Sequence, residues 1–307
     1  MNIYNATYSY LLSELQTVPF EKAIHTIEYR FAHPSSHWLL PLYTCQAFGG
    51  GETCSIPAIA ALIAIQTAIL LVDDLLDNDG RREILGLSIG ETANLSMVFQ
   101  AIGVECMSRN LPAAELQMQV VGHINQTMLE TAYGQHLDNL YLDSEEAYWQ
   151  AARAKSCPFF GLAFYLGSVA SGVSENSSET ILNLGRLYGE MIQIHDDLSD
   201  NLSDKIGSDW IQKRAALPIL FARIVDHPDR DKFLTLTENI VDSYSLHQAQ
   251  EILLGCGAVS YCIDQIVQRH KTATLLLSSL TLPDPQPLQR VFDEIIEPVL
   301  KLLGKQG

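Results

Sequence analysis

Basic residues are scarce in this chain of 307 residues: 19 lysines and arginines stand against 36 aspartates and glutamates, for a formal net charge of −17. Nucleic acids and anionic lipid surfaces are captured by a positive field, so this balance argues strongly against a nucleic-acid-binding protein. Charged residues make up only 18% of the sequence, below the roughly 25% typical of soluble domains, whereas 47% of residues are hydrophobic. A chain of this length and composition can bury a large core and is not disordered.

Strand signals and paired cysteines are also missing. No stretch alternates apolar and polar residues between tight turns, as a half-buried strand does. The six cysteines form no CxxC motif, and most lie in apolar helical stretches, where a free cysteine acts as a small hydrophobic residue. The segment 1–16 lacks the basic region and the uninterrupted apolar run of a signal peptide. These absences predict a reduced, cytoplasmic, all-α protein.

Long helical patterns separated by breaks rich in proline and glycine cover the chain and predict about ten helices. No linker divides them, so the sequence predicts a single domain over residues 1–307. The most apolar pattern runs from Pro57 to Val72 and is interrupted by Gln66 and Thr67. At about 16 residues it is shorter than the roughly 20 that a membrane span needs. We therefore expect a buried helix at the centre of a helical bundle and no membrane span.

Two groups of three aspartates are the most informative feature of the sequence. Each group has the pattern DDxxD and follows a hydrophobic helical run. The first and last aspartates of a group lie four residues apart and so share one face of a helix. Carboxylate oxygens on one face suit Mg²⁺, which binds a few carboxylates together with water and substrate phosphate. The predicted metal-binding and catalytic residues are Asp73, Asp74 and Asp77 in the first group, and Asp196, Asp197 and Asp200 in the second.

An acidic protein that binds a diphosphate needs positive charge at the site, and metal ions would supply most of it. The rest is predicted to come from bases in or beside the segments that follow the aspartate groups and in the apolar segment between them. These predicted diphosphate-binding bases are Arg81, Arg82, Lys155, Lys205, Lys213 and Arg214.

The order of the motifs resembles that of the trans-isoprenyl diphosphate synthase family, also called polyprenyl synthases. The resemblance covers roughly residues 35–270. DDLLDNDGRR at 73–82 is similar to the first aspartate-rich motif of that family with its arginine pair. GQHLDNL at 134–140 is similar to the GQxxDL segment, and QIHDDLSD at 193–200 resembles the second aspartate-rich motif.

The resemblance implies roles for residues outside the aspartate groups. Lys155 and Ser156 open a segment similar to the one that carries a diphosphate-binding lysine and a hydroxyl residue, and Gln193 stands at a further diphosphate-binding position. The implied fold is an all-α bundle of isoprenoid-synthase type in which the two aspartate groups face each other across a central cavity. Three Mg²⁺ ions, an allylic prenyl diphosphate as substrate and a homodimer are implied as well.

The sequence departs from the family at the segment that holds the isopentenyl diphosphate acceptor. The family motif GKRxRP reads SHWLLP at 36–41, so His37, Trp38 and Leu40 stand where a lysine and two arginines are expected. Trp and Leu cannot replace the charge-assisted hydrogen bonds that basic residues make to a phosphate. Gln66 stands at a position where family members carry His or Gln, so that contact is retained.

Three hypotheses of function are compatible with the retained aspartate groups and the altered acceptor segment. The leading hypothesis is Mg²⁺-dependent ionisation of an allylic prenyl diphosphate with release of pyrophosphate. The resulting cation would then cyclise, as in terpene synthases, or be transferred to an acceptor other than isopentenyl diphosphate. One alternative is a chain-elongating synthase that condenses isopentenyl diphosphate with an allylic diphosphate. The other alternative is a non-catalytic partner subunit of such a synthase.

The substrate pocket is predicted less sharply. In the family the residues four and five before the first aspartate group help to set the pocket floor, and Ile69 and Ala68 carry no aromatic block there, which favours a C15 or C20 substrate. Aromatic rings after Lys155 are candidates to stabilise a cation. The predicted pocket residues are Trp38, Gln66, Ala68, Ile69, Ser156, Phe159 and Phe160.

Overall fold

The structure is a computed structural model that describes residues 2–16, 20–77, 81–138, 140, 142–172 and 178–304. The side chains of Asp77, Arg81, Ser178, Ser208 and residues 299–304 lie outside this description. Over the described ranges the chain is all-α and contains no strand, which confirms the predicted fold class.

The described part contains sixteen α-helices and one 3-10 helix. They are α1 (Ile3–Leu15), α2 (Glu21–Ala32), the 3-10 helix η1 (Ser36–Leu39), α3 (Leu40–Ala47), α4 (Glu52–Asp77), α5 (Arg81–Ile84), α6 (Ile89–Ser108), α7 (Ala114–Asp138), α8 (Glu145–Lys155), α9 (Cys157–Ala170), α10 (Ser178–Asn201), α11 (Ser208–Gln212), α12 (Leu217–Ile224), α13 (Arg230–Thr237), α14 (Ser243–Gly255), α15 (Ala258–Ser279) and α16 (Gln286–Gly304). The prediction of about ten helices is too low for the described residues. Five of the α-helices have eight residues or fewer, too short to show a helical period in the sequence.

Helix α4 is the longest helix and lies in the core. Its run of Ala, Ile and Leu favours a helix and presents apolar side chains on every face. Residues 58–65 are at most 1% exposed. The helix is long and apolar enough to cross a membrane by composition, yet most of its apolar stretch is buried within the protein. The prediction of a buried core helix is therefore confirmed.

Helix α6 lies directly against α4. A Cβ atom on Gly103 of α6 would stand 2.7 Å from Cδ1 of Ile65 and 3.2 Å from the carbonyl oxygen of Ala61. Only glycine permits this close approach. One turn further along α4, the hydroxyl of Ser96 donates a hydrogen bond to the carbonyl oxygen of Ala68 over 3.0 Å. This packing fixes the half of α4 that leads to the first aspartate group.

The chain forms two compact units, each built from three separate segments. Unit 1 comprises Met1–Thr131, Phe159–Gly185 and Leu277–Val291, and unit 2 comprises Ala132–Pro158, Arg186–Leu276 and Phe292–Gly307. Trp38 and Phe99 are fully buried in the core of unit 1, and Phe233 is fully buried in unit 2 with its ring centre 6.4 Å from that of Trp210. The single domain over residues 1–307 stays a prediction.

Candidate active site

The first aspartate group lies at the C-terminal end of α4 in unit 1. Asp73 is half-buried, whereas Asp74 has no exposed surface. Adjacent residues point about 100° apart around a helix, so the two carboxylates leave α4 in different directions. The side chains of Asp77 and Arg81 lie outside the described residues, and the guanidinium of Arg82 reaches the carbonyl oxygen of Leu87 at 3.5 Å. Of Asp73 and Asp74, solvent reaches only Asp73.

The second aspartate group lies on the last turns of α10 in unit 2. Asp196 and Asp200 are exposed and share one helix face, because they are four residues apart. Although Asp196 keeps solvent contact, partial burial of its carboxyl group and then the negative charge of Asp200 raise its pKa to about 6. The two carboxylates therefore lie close enough to repel each other.

Asp197 differs from both of these neighbours because it is buried and accepts three hydrogen bonds. The hydroxyl of Tyr148 and the backbone N–H of Leu217 donate to its Oδ2 over 2.8 and 2.7 Å. The side-chain amide of Gln193 donates to Oδ1 over 2.8 Å. Burial raises the pKa of Asp197 to about 7, although all three hydrogen bonds act to lower it. Both oxygens thus face the interior of unit 2, and Asp197 connects α10 with α8 and α12.

The hydrogen-bond network around Asp197 extends to Gln193, four residues before it, and to Asn201, four residues after it. The hydroxyl of Ser156 donates to Oε1 of Gln193 over 2.6 Å, which fixes the orientation of the Gln193 amide. Asn201 donates to the carbonyl oxygen of Asp197 over 2.8 Å and to Oδ2 of Asp209 over 3.0 Å. Burial raises the pKa of Asp209. Of the two residues that the resemblance places at the diphosphate, Gln193 thus contacts the second aspartate group directly, and Ser156 contacts it through Gln193.

The predicted bases of unit 2 fall into a half-buried pair, Lys155 and Arg214, and an exposed pair. Nζ of Lys155 donates to Oδ2 of Asp138 over 2.6 Å, and Arg214 lies 3.9 Å from the same oxygen. Lys205 and Lys213 are exposed. Lys213 ends α11 in the left-handed conformation, with φ of 57°. The carboxylate of Asp138 therefore positions two of the predicted bases, Lys155 and Arg214. Lys205 and Lys213 are not positioned by Asp138.

A glycine explains how Lys155 reaches its position. A Cβ atom on Gly134 would stand 2.1 Å from the backbone nitrogen of Lys155 and 2.3 Å from the carbonyl carbon of Ala154. Helix α7 can pass the junction of α8 and α9 only because this residue has no side chain. The glycine and the aspartate of the GQHLDNL segment thus act together: Gly134 admits the backbone of Lys155 and Asp138 binds its ammonium group.

The segment that replaces the acceptor motif is part of the core of unit 1. Trp38 is 0% exposed, and its indole N–H donates to Oε1 of Gln66 over 2.6 Å. Arg30 donates to the same oxygen over 2.6 Å, with its guanidinium 5.3 Å from the centre of the Trp38 ring. His37 packs edge-on against the ring of Phe160 at 5.1 Å, and burial lowers its pKa. Trp38 thus fills space in the core, and burial disfavours the charged form of His37.

The remaining predicted pocket residues lie in unit 1 as well. Ala68 is fully buried and Ile69 is half-buried on α4. Phe159 and Phe160 are each 6% exposed and meet edge-to-face with ring centres 5.2 Å apart. This arrangement matches apolar packing and leaves their role toward a substrate a prediction.

A sequence model described as polyprenyl synthetase matches residues 38–252, well over half of the chain. The chain belongs to the polyprenyl synthetase family. It is 24% identical over 239 residues to a geranylgeranyl pyrophosphate synthase from Geoglobus acetivorans, with 73% of each chain covered. It is 25% identical over 281 residues to a short chain isoprenyl diphosphate synthase from Methanothermobacter thermautotrophicus, with 84% of each chain covered. The predicted family is thereby confirmed.

A solved structure shows the same fold. The geranylgeranyl pyrophosphate synthetase from Geoglobus acetivorans superposes with a TM-score of 0.81 at 20% identity, covering 96% of this chain and 98% of that chain. Together with the family match, this likeness confirms the expected all-α polyprenyl synthase fold.

Magnesium, on which polyprenyl synthases generally depend, fits the donors of the second aspartate group. Asp196 and Asp200 offer two exposed carboxylates on one helix face, and hard oxygen donors of this kind are what Mg²⁺ prefers. Within the described ranges no three His, Cys, Asp or Glu side chains converge on one point. A site with two carboxylates leaves the other positions of the ion to water and substrate phosphate, which is how Mg²⁺ is usually held.

Sequence reasoning did not assign a role to Tyr148 or Asp209, although both contact the second aspartate group or its neighbour Asn201. A signal for Tyr148 was present, since it lies seven residues before Lys155 and so on the same side of α8. Asp209 lies in the GSD segment that follows the second group, a further acidic residue close to a metal-binding motif.

Proposed function

We propose that this member of the polyprenyl synthetase family is a chain-elongating prenyl diphosphate synthase. It would ionise an allylic diphosphate with release of pyrophosphate and join the prenyl group to isopentenyl diphosphate. The observation that carries the ionising step is the pair of exposed carboxylates, Asp196 and Asp200, beside the anchored Asp197. The names of the relatives, which are prenyl diphosphate synthases, favour elongation over the cyclisation that the sequence alone put first.

Under this proposal Asp196 and Asp200 hold Mg²⁺ on α10, and Asp73 has the same role at the end of α4. Asp77, whose side chain is outside the description, stays a predicted ligand. Bound Mg²⁺ neutralises the diphosphate and so favours its departure as pyrophosphate. Three ions are what the resemblance implies. Asp74 and Asp197, whose carboxylates turn inward, are proposed to hold the ends of their helices in place.

The bases and neutral donors complete the diphosphate-binding set. Lys155 is held by Asp138 at 2.6 Å, so its ammonium group has a fixed position before substrate arrives. A preformed position lowers the entropy lost when the ammonium group binds the leaving diphosphate. The other residues proposed to contact diphosphate are Arg81, Arg82, Gln193, Lys205, Lys213 and Arg214.

A second candidate function is ionisation without isopentenyl diphosphate, followed by cyclisation or by prenyl transfer to another acceptor. The burial of Trp38 and the lowered pKa of His37 favour it. Neither residue offers the positive charge that an acceptor diphosphate needs. In both functions the substrate proposed is a C15 or C20 allylic diphosphate, with Ala68 and Ile69 at the pocket floor.

We also propose that the protein is a cytoplasmic homodimer. Apolar side chains on two neighbouring helices in the sequence support this, since Ile89 and Met97 of α6 are 67% and 70% exposed and Met118 and Leu129 of α7 are 76% and 67% exposed. We propose that these side chains form one contiguous apolar patch, the kind of surface that a partner covers. Light scattering on Met97→Glu tests the proposal: we expect a monomer, whereas an unchanged mass would reject this surface.

The catalytic proposal is tested by incubating the protein and Mg²⁺ with C10, C15 and C20 allylic diphosphates, each with and without isopentenyl diphosphate. Longer diphosphates that form only with isopentenyl diphosphate would support elongation. A hydrocarbon or alcohol that forms without it would support the second candidate and reject the first. Asp73→Ala and Asp196→Ala should be inactive, and Asp264→Ala, which removes an exposed aspartate on α15, is the matched control.

A non-catalytic partner subunit is the outcome if no substrate reacts. In that case pyrophosphate release should also be absent, and Asp196→Ala should not differ from the unchanged protein in any assay. Pyrophosphate release alone, without a new prenyl product, would instead show that the ionising step is intact and that the acceptor is a different molecule.

A further inference from the structure

Two cysteines from different helices are in contact at the α3–α4 connection of unit 1. Sγ of Cys45, in α3, lies 3.2 Å from Sγ of Cys54, in the first turn of α4. Cys45 is fully buried, whereas Cys54 is exposed. Both sulfur atoms also approach the carbonyl oxygen of Gly51, at 3.7 Å from Cys45 and 3.0 Å from Cys54. The proposed prenyl chemistry uses neither thiol.

The glycines between the two helices hold this contact in place. Gly49 has φ of 82°, the left-handed conformation that favours glycine, and the N–H of Gly50 donates to the carbonyl oxygen of Cys45 over 2.8 Å. A Cβ atom on Gly50 would stand 2.4 Å from Sγ of Cys45. The sulfur therefore lies in space that only a glycine leaves open, and the backbone turn brings the two thiols together.

Three of the other four cysteines differ from Cys54 in access to solvent. Cys106, Cys157 and Cys262 are buried, and burial raises the pKa of each thiol. The thiolate is the reactive form of cysteine, and reaction also requires access to the reagent. Cys54 thus combines exposure with a second thiol at contact distance, the arrangement of an attacking thiol next to a resolving one.

We propose that Cys45 and Cys54 form a redox modification site, at which a small-molecule disulfide reversibly converts the two thiols into an intramolecular disulfide that joins α3 to the start of α4. The exposed Cys54 reacts first. Its thiolate attacks one sulfur of glutathione disulfide, the bond between the two glutathione sulfurs breaks, and one glutathione leaves as its thiol. Cys54 then carries the other glutathione.

Cys45 completes the exchange. Its sulfur attacks Sγ of Cys54, and the second glutathione leaves as the thiol. One S–S bond is broken and one is formed, both protein thiols are oxidised, and one glutathione disulfide is reduced to two thiols that carry the two protons. Cys45 is fully buried, so the reagent reaches the exposed Cys54 first. The inference does not depend on the proposed prenyl chemistry.

The sequence makes the test direct, because no lysine or arginine lies between Arg30 and Arg81 and trypsin therefore leaves both cysteines in one peptide. The reduced full-length protein would be incubated with glutathione disulfide, its free thiols alkylated, and the digest analysed by mass spectrometry. We expect this peptide to lack two hydrogen atoms and to carry no alkyl group. Cleavage after Glu52 should leave two pieces that separate only after reduction with dithiothreitol.

Single variants identify the order of reaction. Cys45→Ser should keep glutathione on residue 54, whereas Cys54→Ser should leave Cys45 unmodified. Cys256→Ser, at a half-buried cysteine in unit 2, should form the disulfide as the unchanged protein does. Oxidation should raise Tm by a few degrees in the unchanged protein, because the cross-link restricts the unfolded chain, and should not do so in either single variant.

Two results would overturn the proposal. One is a folded protein in which Cys54 accumulates glutathione while Cys45 stays free to be alkylated after unfolding. The other is a disulfide that forms only under denaturing conditions, since the contact described above exists in the folded chain.

Discussion

Separate replacement of Asp196 and Asp197 distinguishes a metal-binding residue from one that holds a helix in place. Asp197→Ala should lower the free energy of unfolding by about 3–5 kcal/mol, because it leaves the buried donors of Tyr148 and Leu217 without an acceptor at about 1–3 kcal/mol each. Asp196→Ala removes an exposed side chain that is repelled by Asp200, so its effect on stability should stay within about 0.5 kcal/mol.

Activity should respond in the opposite way to stability. Asp197→Asn should leave activity nearly unchanged, whereas Asp196→Asn should lower it strongly. In Asp197→Asn the new amide can keep its oxygen toward Tyr148 and Leu217 and point its NH₂ at Gln193. The Gln193 amide can then turn over, since the hydroxyl of Ser156 is able to donate or accept. At pH 4, where the folded protein keeps Asp197 protonated, we expect a loss of about 1 kcal/mol in stability, and in the activity assay we expect an Mg²⁺ dependence within about threefold of the original. Asp196→Asn should lower kcat at least about 100-fold.

The measurements are urea unfolding in metal-free buffer and initial rates of pyrophosphate release at a series of Mg²⁺ concentrations. Asp264→Ala serves as the control for both. The reasoning is refuted if Asp197→Asn weakens Mg²⁺ activation as much as Asp196→Asn does while leaving stability unchanged, because Asp197 would then be a ligand.

Three further predictions concern unit 2. Asp138→Asn removes the charge that holds Lys155, so KM for the allylic diphosphate should rise about three- to tenfold with little change in stability; steady-state kinetics beside a urea unfolding curve check this. Gly134→Ala should cost about 3 kcal/mol or more and lower activity, because the new methyl group meets the backbone of Lys155; an unchanged melting curve would contradict the packing. Burial raises the pKa of Asp197 to about 7, so between about pH 4 and pH 7 the folded protein keeps a proton that the unfolded chain has lost. Metal-free stability should therefore fall as the pH rises through this range, and Asp197→Asn should flatten that slope.

The sequence was sufficient for the fold class and for the positions of the two aspartate groups. The all-α class followed from the absence of strand patterns, and the core position of α4 followed from an apolar run without charges. Spacing by four residues correctly placed Asp196 and Asp200 on one face. Short helices such as α5 and α11 could not be predicted, since four or five residues do not complete a recognisable period.

The sequence alone could not predict which aspartates of each group are exposed and which are buried. The pattern DDxxD treats three carboxylates alike, whereas burial separates Asp74 and Asp197 from Asp73, Asp196 and Asp200. Which side of a helix is buried depends on tertiary packing, and for Asp197 the decisive partner, the N–H of Leu217, is twenty residues away in sequence. No local pattern contains that information.

The buried environment of Trp38 restricts which residues this position of the acceptor segment can accept. A single substitution back to arginine would place a positive charge where the indole now has no exposed surface, and it would remove the N–H that occupies Gln66. Arg30, held by the same Gln66 oxygen, would then face a like charge. The departure from the family motif has therefore become dependent on its neighbours. Introduction of the basic motif into this core would require coordinated changes at Arg30, Trp38 and the surrounding apolar residues.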